Sequence, residues 1–248
     1  MTESELTDAE PAGGRTRRSG AAPHPAARAR AGRPVRAEPD PPAAGPGPRA
    51  RCFDAAVRAY LDRHPEATVV ALGEGLGTGF WRLDNGRLNW LTVQPPETAA
   101  VRRMLLPDGA RRRTVARAAT DHGWLDAVRE PERGVIVTAH GVLMRLSPPA
   151  VRALLAACAE RFPGGALVFD APPRRSTALA RCGAALSGGR WPAPVRWGLD
   201  RADLPRVASA HPGIVAVREL PVRPGPYRRL PVLRGLTPLV CEVRFAAR

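Results

Sequence analysis

Four glycines, at 73, 75, 77 and 79 in TVVALGEGLGTGFWRL (68–83), are the residues best placed to do chemistry. They follow Val69, Val70, Ala71 and Leu72, a β-branched apolar run that reads as a strand buried on both faces. Glycine lets the chain turn sharply and lets a ligand approach the backbone. Residues 80–83 then read as a helix start, which Asp84-Asn85-Gly86 stops. Strand, glycine turn and helix start together make a nucleotide-cofactor site, in which free N–H groups and the positive end of a helix dipole face the ligand. Gly73-x-Gly75 matches half of a dinucleotide fingerprint, but Thr78 stands where its last glycine belongs. The turn alone is also compatible with a purely structural role, so the context must decide.

The elements that position the turn follow from periodicity. Residues 50–63 have apolar side chains at 53, 56, 57, 60 and 61, one face of a helix that His64-Pro65 ends. Strands are expected at 69–73, 88–93, 113–118, 135–139, 166–170, 214–222 and 239–245. Helices are expected at 95–106, 121–129, 148–162, 176–186 and 200–210, and Pro95-Pro96 suits a first turn. Strand–helix alternation means a parallel sheet with helices on both faces. Ligands of such sheets bind at the carboxyl ends of the strands. That edge carries 73–79, Gln94, Ala119, Thr120, Asp121, His140 and Asp170.

Composition narrows the class. The chain has 248 residues, 44% of them hydrophobic, enough for one large α/β domain. Residues 1–47 are rich in Ala, Pro, Gly and Arg and cannot bury enough apolar surface to offset ordering entropy. They are expected to be a disordered tail, with the folded domain at 48–248. The N-terminus is acidic and polar, unlike a secretory signal, and no apolar run is long enough to span a bilayer. Four scattered cysteines without CxxC argue for a reducing cytoplasm and against a zinc site or disulfide frame. The formal charge is +15 and every basic residue is Arg. A nucleic-acid partner is one reading of that charge. GC-rich codon usage is the better one, since Ala, Gly and Pro are inflated too and no basic stripe is interleaved with aromatics. No Ser/His/Asp order, metal-ligand cluster or paired carboxylates suggest hydrolysis or metal chemistry.

Six segments carry a resemblance: RARCFDAAV (49–57), VVALGEGLGTGFWRL (69–83), WLTVQPPE (90–97), ATDHGWLDAV (119–128), VTAHGVLMRLSPPAVRALL (137–155) and RLPVLRGLTPLVCEVRF (229–245). In order and spacing the chain resembles the leucine carboxyl methyltransferase-like family, in its branch of tetracenomycin-type polyketide carboxyl O-methyltransferases. The resemblance implies a seven-stranded, mostly parallel, Rossmann-like sheet that binds S-adenosyl-L-methionine (SAM) at the carboxyl edge. It implies that Arg49 pairs with the SAM carboxylate, for which a planar guanidinium fork is suited. It places Gly73, Glu74 and Gly75 under the methionine part and Ala119, Thr120 and Asp121 beside the adenine. Asp121 is also in position simply to cap the helix that follows. Trp124 reads as core rather than as an adenine platform.

The chain departs from the family pattern at several positions. An Asp is expected to hold the ribose where Gln94 stands, followed by Pro95 rather than Leu. A bond to a charged acceptor is worth about 1.5–3 kcal/mol against about 1 for a neutral one, so the swap weakens SAM by roughly tenfold. Gly79 replaces an Arg, His140 a Glu and Arg145 a Tyr, and the tail replaces a helical lid. The expectation is methyl transfer to a carboxyl or hydroxyl group of a small molecule, in secondary metabolism. A carboxylate acceptor needs no base; a hydroxyl acceptor is served by one, and His140 is the candidate. A binding protein on the same scaffold, with catalysis lost, is the alternative. An NAD-dependent dehydrogenase fits badly, because of Gln94 and the short helix after the glycines. The methyltransferase reading requires a hollow at the glycine turn that reaches Gln94 and Asp121.

Overall fold

The computed structural model describes residues 46–175, 177, 195–222 and 238–247. The chain divides into two units, Met1–Ala43 and Ala44–Arg248, and the described residues all belong to the second. The expected disordered tail and the helix expected at 176–186 lie outside the described residues, apart from Pro46, Gly47 and Thr177.

The elements are α1 (Pro48–Leu61), β1 (Thr68–Leu72), α2 (Gly79–Leu83), β2 (Asn89–Gln94), α3 (Pro96–Leu105), β3 (Arg112–Ala116), β4 (Val135–Ala139), α4 (Pro148–Arg161), β5 (Ala166–Ala171), α5 (Leu204–Ala208), β6 (Ile214–Leu220) and β7 (Leu239–Phe245). Among the described residues the strands form one seven-stranded sheet in the order β3-β2-β1-β4-β5-β7-β6. Neighbours from β3 to β5 are parallel, while β7 runs antiparallel to both β5 and β6. The expected mostly parallel sheet is therefore present, with β1 at the centre of its five parallel strands. All five β1 residues are buried.

Strand pleating sorts alternate side chains to opposite faces. Val70 and Leu72 join Leu91, Val93, Val137 and Leu154 in one core, under α4 and α5. Val69 and Ala71 join Phe53, Val57, Leu88 and Ile136 in the other, under α1 and α2. Trp124 is fully buried against Phe162, which makes it core as read from the sequence. The helix expected at 121–129 is instead a 3₁₀ segment, His122–Ala127, because Asp121 accepts from Gly123 N–H and tightens the turn.

α1 crosses the sheet and is pinned at both ends. Near its C-terminus the Tyr60 hydroxyl accepts from Val135 N–H (3.1 Å), at the start of β4. Near its N-terminus Arg49 donates to Asp170 (2.5 Å), at the carboxyl end of β5. Between them Asp54 takes a two-pronged bond from Arg82 of α2, at 3.0 and 3.1 Å. One helix thereby spans the distance between the two edges of the sheet.

Candidate functional site

The turn after β1 begins where Gly73 and Gly75 take φ of +61° and +62°, the left-handed region that favours glycine. A Cβ on Gly73 would sit 2.7 Å from Val142 Cγ2. The expected strand end at 73 moves back to Leu72 for this reason.

Side chains from β2 and α3 hold the turn. The β-strand period of two aims Trp90, Thr92 and Gln94 the same way. The Glu74 carboxylate accepts from Trp90 Nε1 and Thr92 Oγ1, both at 3.1 Å, and from Gly79 N–H at 3.0 Å. Arg102 reaches in from α3 with 1% of its side chain exposed and pairs with Glu74 at 3.2 Å. Its other arm donates to the carbonyls of Gly75 (2.6 Å) and Gly77 (3.0 Å). Burial pushes the Arg102 pKa down, and the Glu74 carboxylate opposes that shift. Gln94, 1% exposed, accepts from Gly75 N–H (3.0 Å) and donates to Thr98 O (3.3 Å).

These contacts correct the expectation that the glycine amides point freely at a ligand. Gly73 N–H donates to Val93 O, Gly75 to Gln94, Gly77 to Glu74 O and Gly79 to the Glu74 carboxylate. All four are engaged within the protein. The amide of Leu76, at the tip, has no protein acceptor among the described residues. Gly79, where an Arg was expected, is closed to any larger residue: a Cβ there would lie 2.7 Å from the Trp90 ring and 2.9 Å from Glu74 Oε1.

A cavity of about 260 Å3 opens between the turn and α1. Phe53, Asp54, Gly73, Glu74, Trp90 and His140 are among its walls. Gln94 and Asp121 are not, so the hollow does not extend to them as expected. The physical reason is that Gln94 lies buried beneath the turn, with its amide bonded at both ends. Asp121 caps the 3₁₀ segment and pairs with Arg117 at 2.6 Å; that guanidinium, more than the Gly123 amide, holds its pKa below the carboxylate range. Ala119 accepts from Trp124 Nε1 at 3.2 Å, and Thr120 is exposed beside it.

Arg49 and His140 meet at the β4–β5 end of the same edge. Asp170, fully buried, accepts from Arg49 and from Gly141 N–H, each at 2.5 Å. Arg49 is 40% exposed, and its Nε and second terminal nitrogen have no partner among the described residues. His140 lies against Phe53, with ring centroids 4.9 Å apart. Desolvation pulls its pKa below the ordinary value; Asp170 raises it and Arg49 lowers it further. At neutral pH the ring is therefore a free base. Among the described residues the His140 ring makes no hydrogen bond; it packs on Phe53 with the ring planes tilted by 36°. Asp170 itself was legible only as an edge residue.

Among the described residues no group of three or more His, Cys, Asp or Glu is placed to hold a metal ion. Burial pushes the Cys158 thiol up, and that of Cys241 to about 12, which disfavours the thiolate at neutral pH. No helix of the described residues is long and apolar enough to cross a membrane.

Known proteins share this architecture. An O-methyltransferase family protein from Burkholderia thailandensis superimposes with a TM-score of 0.51 at 16% identity, covering 81% of this chain and 57% of that one. The S-adenosylmethionine-dependent methyltransferase SibL, in its apo form, does so with 0.51 at 19% identity, covering 81% and 56%. The fold is that of the methyltransferases. In sequence, the chain is 31% identical over 124 residues to the tetracenomycin polyketide synthesis O-methyltransferase TcmP of Streptomyces glaucescens. That match takes in 50% of this chain and 46% of TcmP, so the chain spans about half the length of its curated relative. No family model matches the chain.

Proposed function

We propose that the chain is a SAM-dependent O-methyltransferase acting on a carboxyl or hydroxyl group of a small molecule in polyketide or other secondary metabolism. The observation that carries this reading is the partial identity to TcmP on a chain with the methyltransferase fold. The cavity lined by Gly73, Glu74 and His140 stops short of Gln94 and Asp121 and so meets only part of the requirement set from the sequence. The partial identity to TcmP supports the O-methyl specificity and the polyketide setting; the leucine carboxyl methyltransferase-like branch is part of the proposal. The residues fit the cofactor at its amino-acid end. Arg49 keeps part of its guanidinium free for a carboxylate while Asp170 fixes the rest. Gly73 and Gly75 bring backbone close, and Glu74 shapes the turn beneath. Ala119, Thr120 and Asp121 remain the candidates for the adenine side. Gln94 contributes through Gly75, since its own amide is engaged.

SAM supplies an activated methyl group for in-line displacement at carbon, so the protein's part is alignment and exclusion of water. For a hydroxyl acceptor, the neutral His140 ring takes the proton. For a carboxylate acceptor, it lines the site. Calorimetric titration with SAM is the test: wild-type protein binds, and Arg49→Ala weakens binding at least tenfold at a temperature where the variant is still folded, its unfolding midpoint being lowered because buried Asp170 loses its cation. Failure of folded wild-type protein to bind SAM overturns the proposal.

The buried Gln94 favours a second reading, a SAM-binding protein without turnover. The two part on transfer of a labelled methyl group from SAM to aromatic polyketide acids and phenols. Binding without transfer to any of them selects the second.

A further inference from the structure

A second cavity, of about 410 Å3, lies between α4 and α5, on the sheet face opposite α1. Its floor is apolar: Val151, Leu155, Leu199 and Val207 are all buried members of the core on that face. Its rim carries Arg152, Arg174, Arg196 and Arg206 against one carboxylate, Asp203.

Asp203 is already saturated. It accepts from Arg206 at 2.9 Å, from Arg174 at 3.3 Å and from Asp200 N–H at 3.3 Å. The guanidinium groups of Arg152 and Arg196 have no partner among the described residues. The strap bearing Arg196 is fixed, because the N–H groups of Arg196 and Trp197 both donate to Met144 O, at 2.7 and 3.1 Å. The Trp197 ring packs on Phe169 with centroids 5.7 Å apart. An apolar hollow of this size with a few polar groups at its mouth has the make-up of a small-molecule site. The rim's excess of positive charge selects the sign of the ligand, and guanidinium groups favour a carboxylate.

We propose that the α4–α5 cavity is a binding site for an amphipathic organic anion, a carboxylate on an aromatic or aliphatic body. The apolar part fills the floor over Leu155 and Leu199. The carboxylate meets Arg152 and Arg196. Inorganic phosphate would leave the floor empty, and a neutral hydrocarbon would leave the arginines unanswered. The site stands apart from the glycine turn and does not depend on the methyl-transfer reading.

The test is calorimetric titration of the full chain with 1-naphthoate and with its neutral counterpart, 1-naphthamide. Naphthoate is expected to bind at least tenfold more tightly than the amide. The Arg152→Gln/Arg196→Gln double variant should lose at least tenfold in naphthoate affinity. Both arginines are exposed and have no guanidinium partner among the described residues, so its thermal midpoint should match wild type. Arg49→Ala should bind naphthoate as wild type does. Equal affinity for acid and amide, undiminished binding by the double variant, or loss of binding in Arg49→Ala would each overturn the proposal. So would the absence of naphthoate binding at millimolar concentration.

Discussion

The two ends of the sheet's carboxyl edge are built on opposite plans. At the β1–β2 end, Glu74, Arg102 and Gln94 are buried or nearly so, and each is bonded to the turn or its support. At the β4–β5 end, Asp170 is buried but its partner Arg49 is 40% exposed, with donors to spare. Hydrogen-bonding capacity that is met internally makes scaffold, and capacity left over stays open to solvent or to a ligand. The glycine turn, which in sequence looks like the ligand's main contact, is therefore chiefly a rigid platform. The β4–β5 end supplies the adjustable charge.

This contrast breaks first at Arg102. Arg102→Met leaves Glu74 without its cation and two turn carbonyls without a donor. Removing one partner of a buried pair costs about 3–5 kcal/mol, which urea unfolding would register. Adding Glu74→Gln should cost less than the two single changes together, because the unpaired charge is gone. Comparable losses from Arg102→Met and from a substitution at exposed Arg103 would show that the brace is not there. Gly79→Ala is the next largest: the added methyl meets the Trp90 ring and Glu74, and overpacking costs about 1–3 kcal/mol. An unchanged urea midpoint would count against the tight turn.

The smallest effect sharpens the other end. His140 has a folded pKa below its ordinary value of about 6.5. The unfolded chain therefore binds more protons between the two values. The neutral ring's contribution is complete above about pH 6.5 and is lost as pH falls through the lowered folded pKa. His140→Gln should flatten the stability profile between pH 7 and 5. An identical slope in the variant would remove the desolvation account of His140.

Much of the fold was legible from residue patterns. The runs TVVAL, VIVTA and ALVFD became β1, β4 and the start of β5 because β-branched and apolar residues suit a strand covered on both faces. Trp124 was read as core, and it lies fully buried against Phe162. Arg102 was not legible. In α3 the buried positions are Ala99 and Arg102, while Val101, Met104 and Leu105 are exposed. This helix inverts the usual amphipathic rule, so hydrophobic periodicity points to the wrong face. The signal was there in a different form: Arg102 lies one helical turn after Ala99, and Thr92 and Gln94 alternate with apolar residues along β2.

The sequence by itself determined the central strand and the turn that follows it, because local backbone preference decides both: β-branched residues extend, and only glycine is at ease at φ near +60°. Which amides and charges remain available for a ligand was decided by tertiary structure alone. Glu74, Gln94 and Arg102 come from a loop, a strand and a helix, and they compete for the same groups only after folding brings them within about 3 Å, the distance over which a hydrogen bond holds.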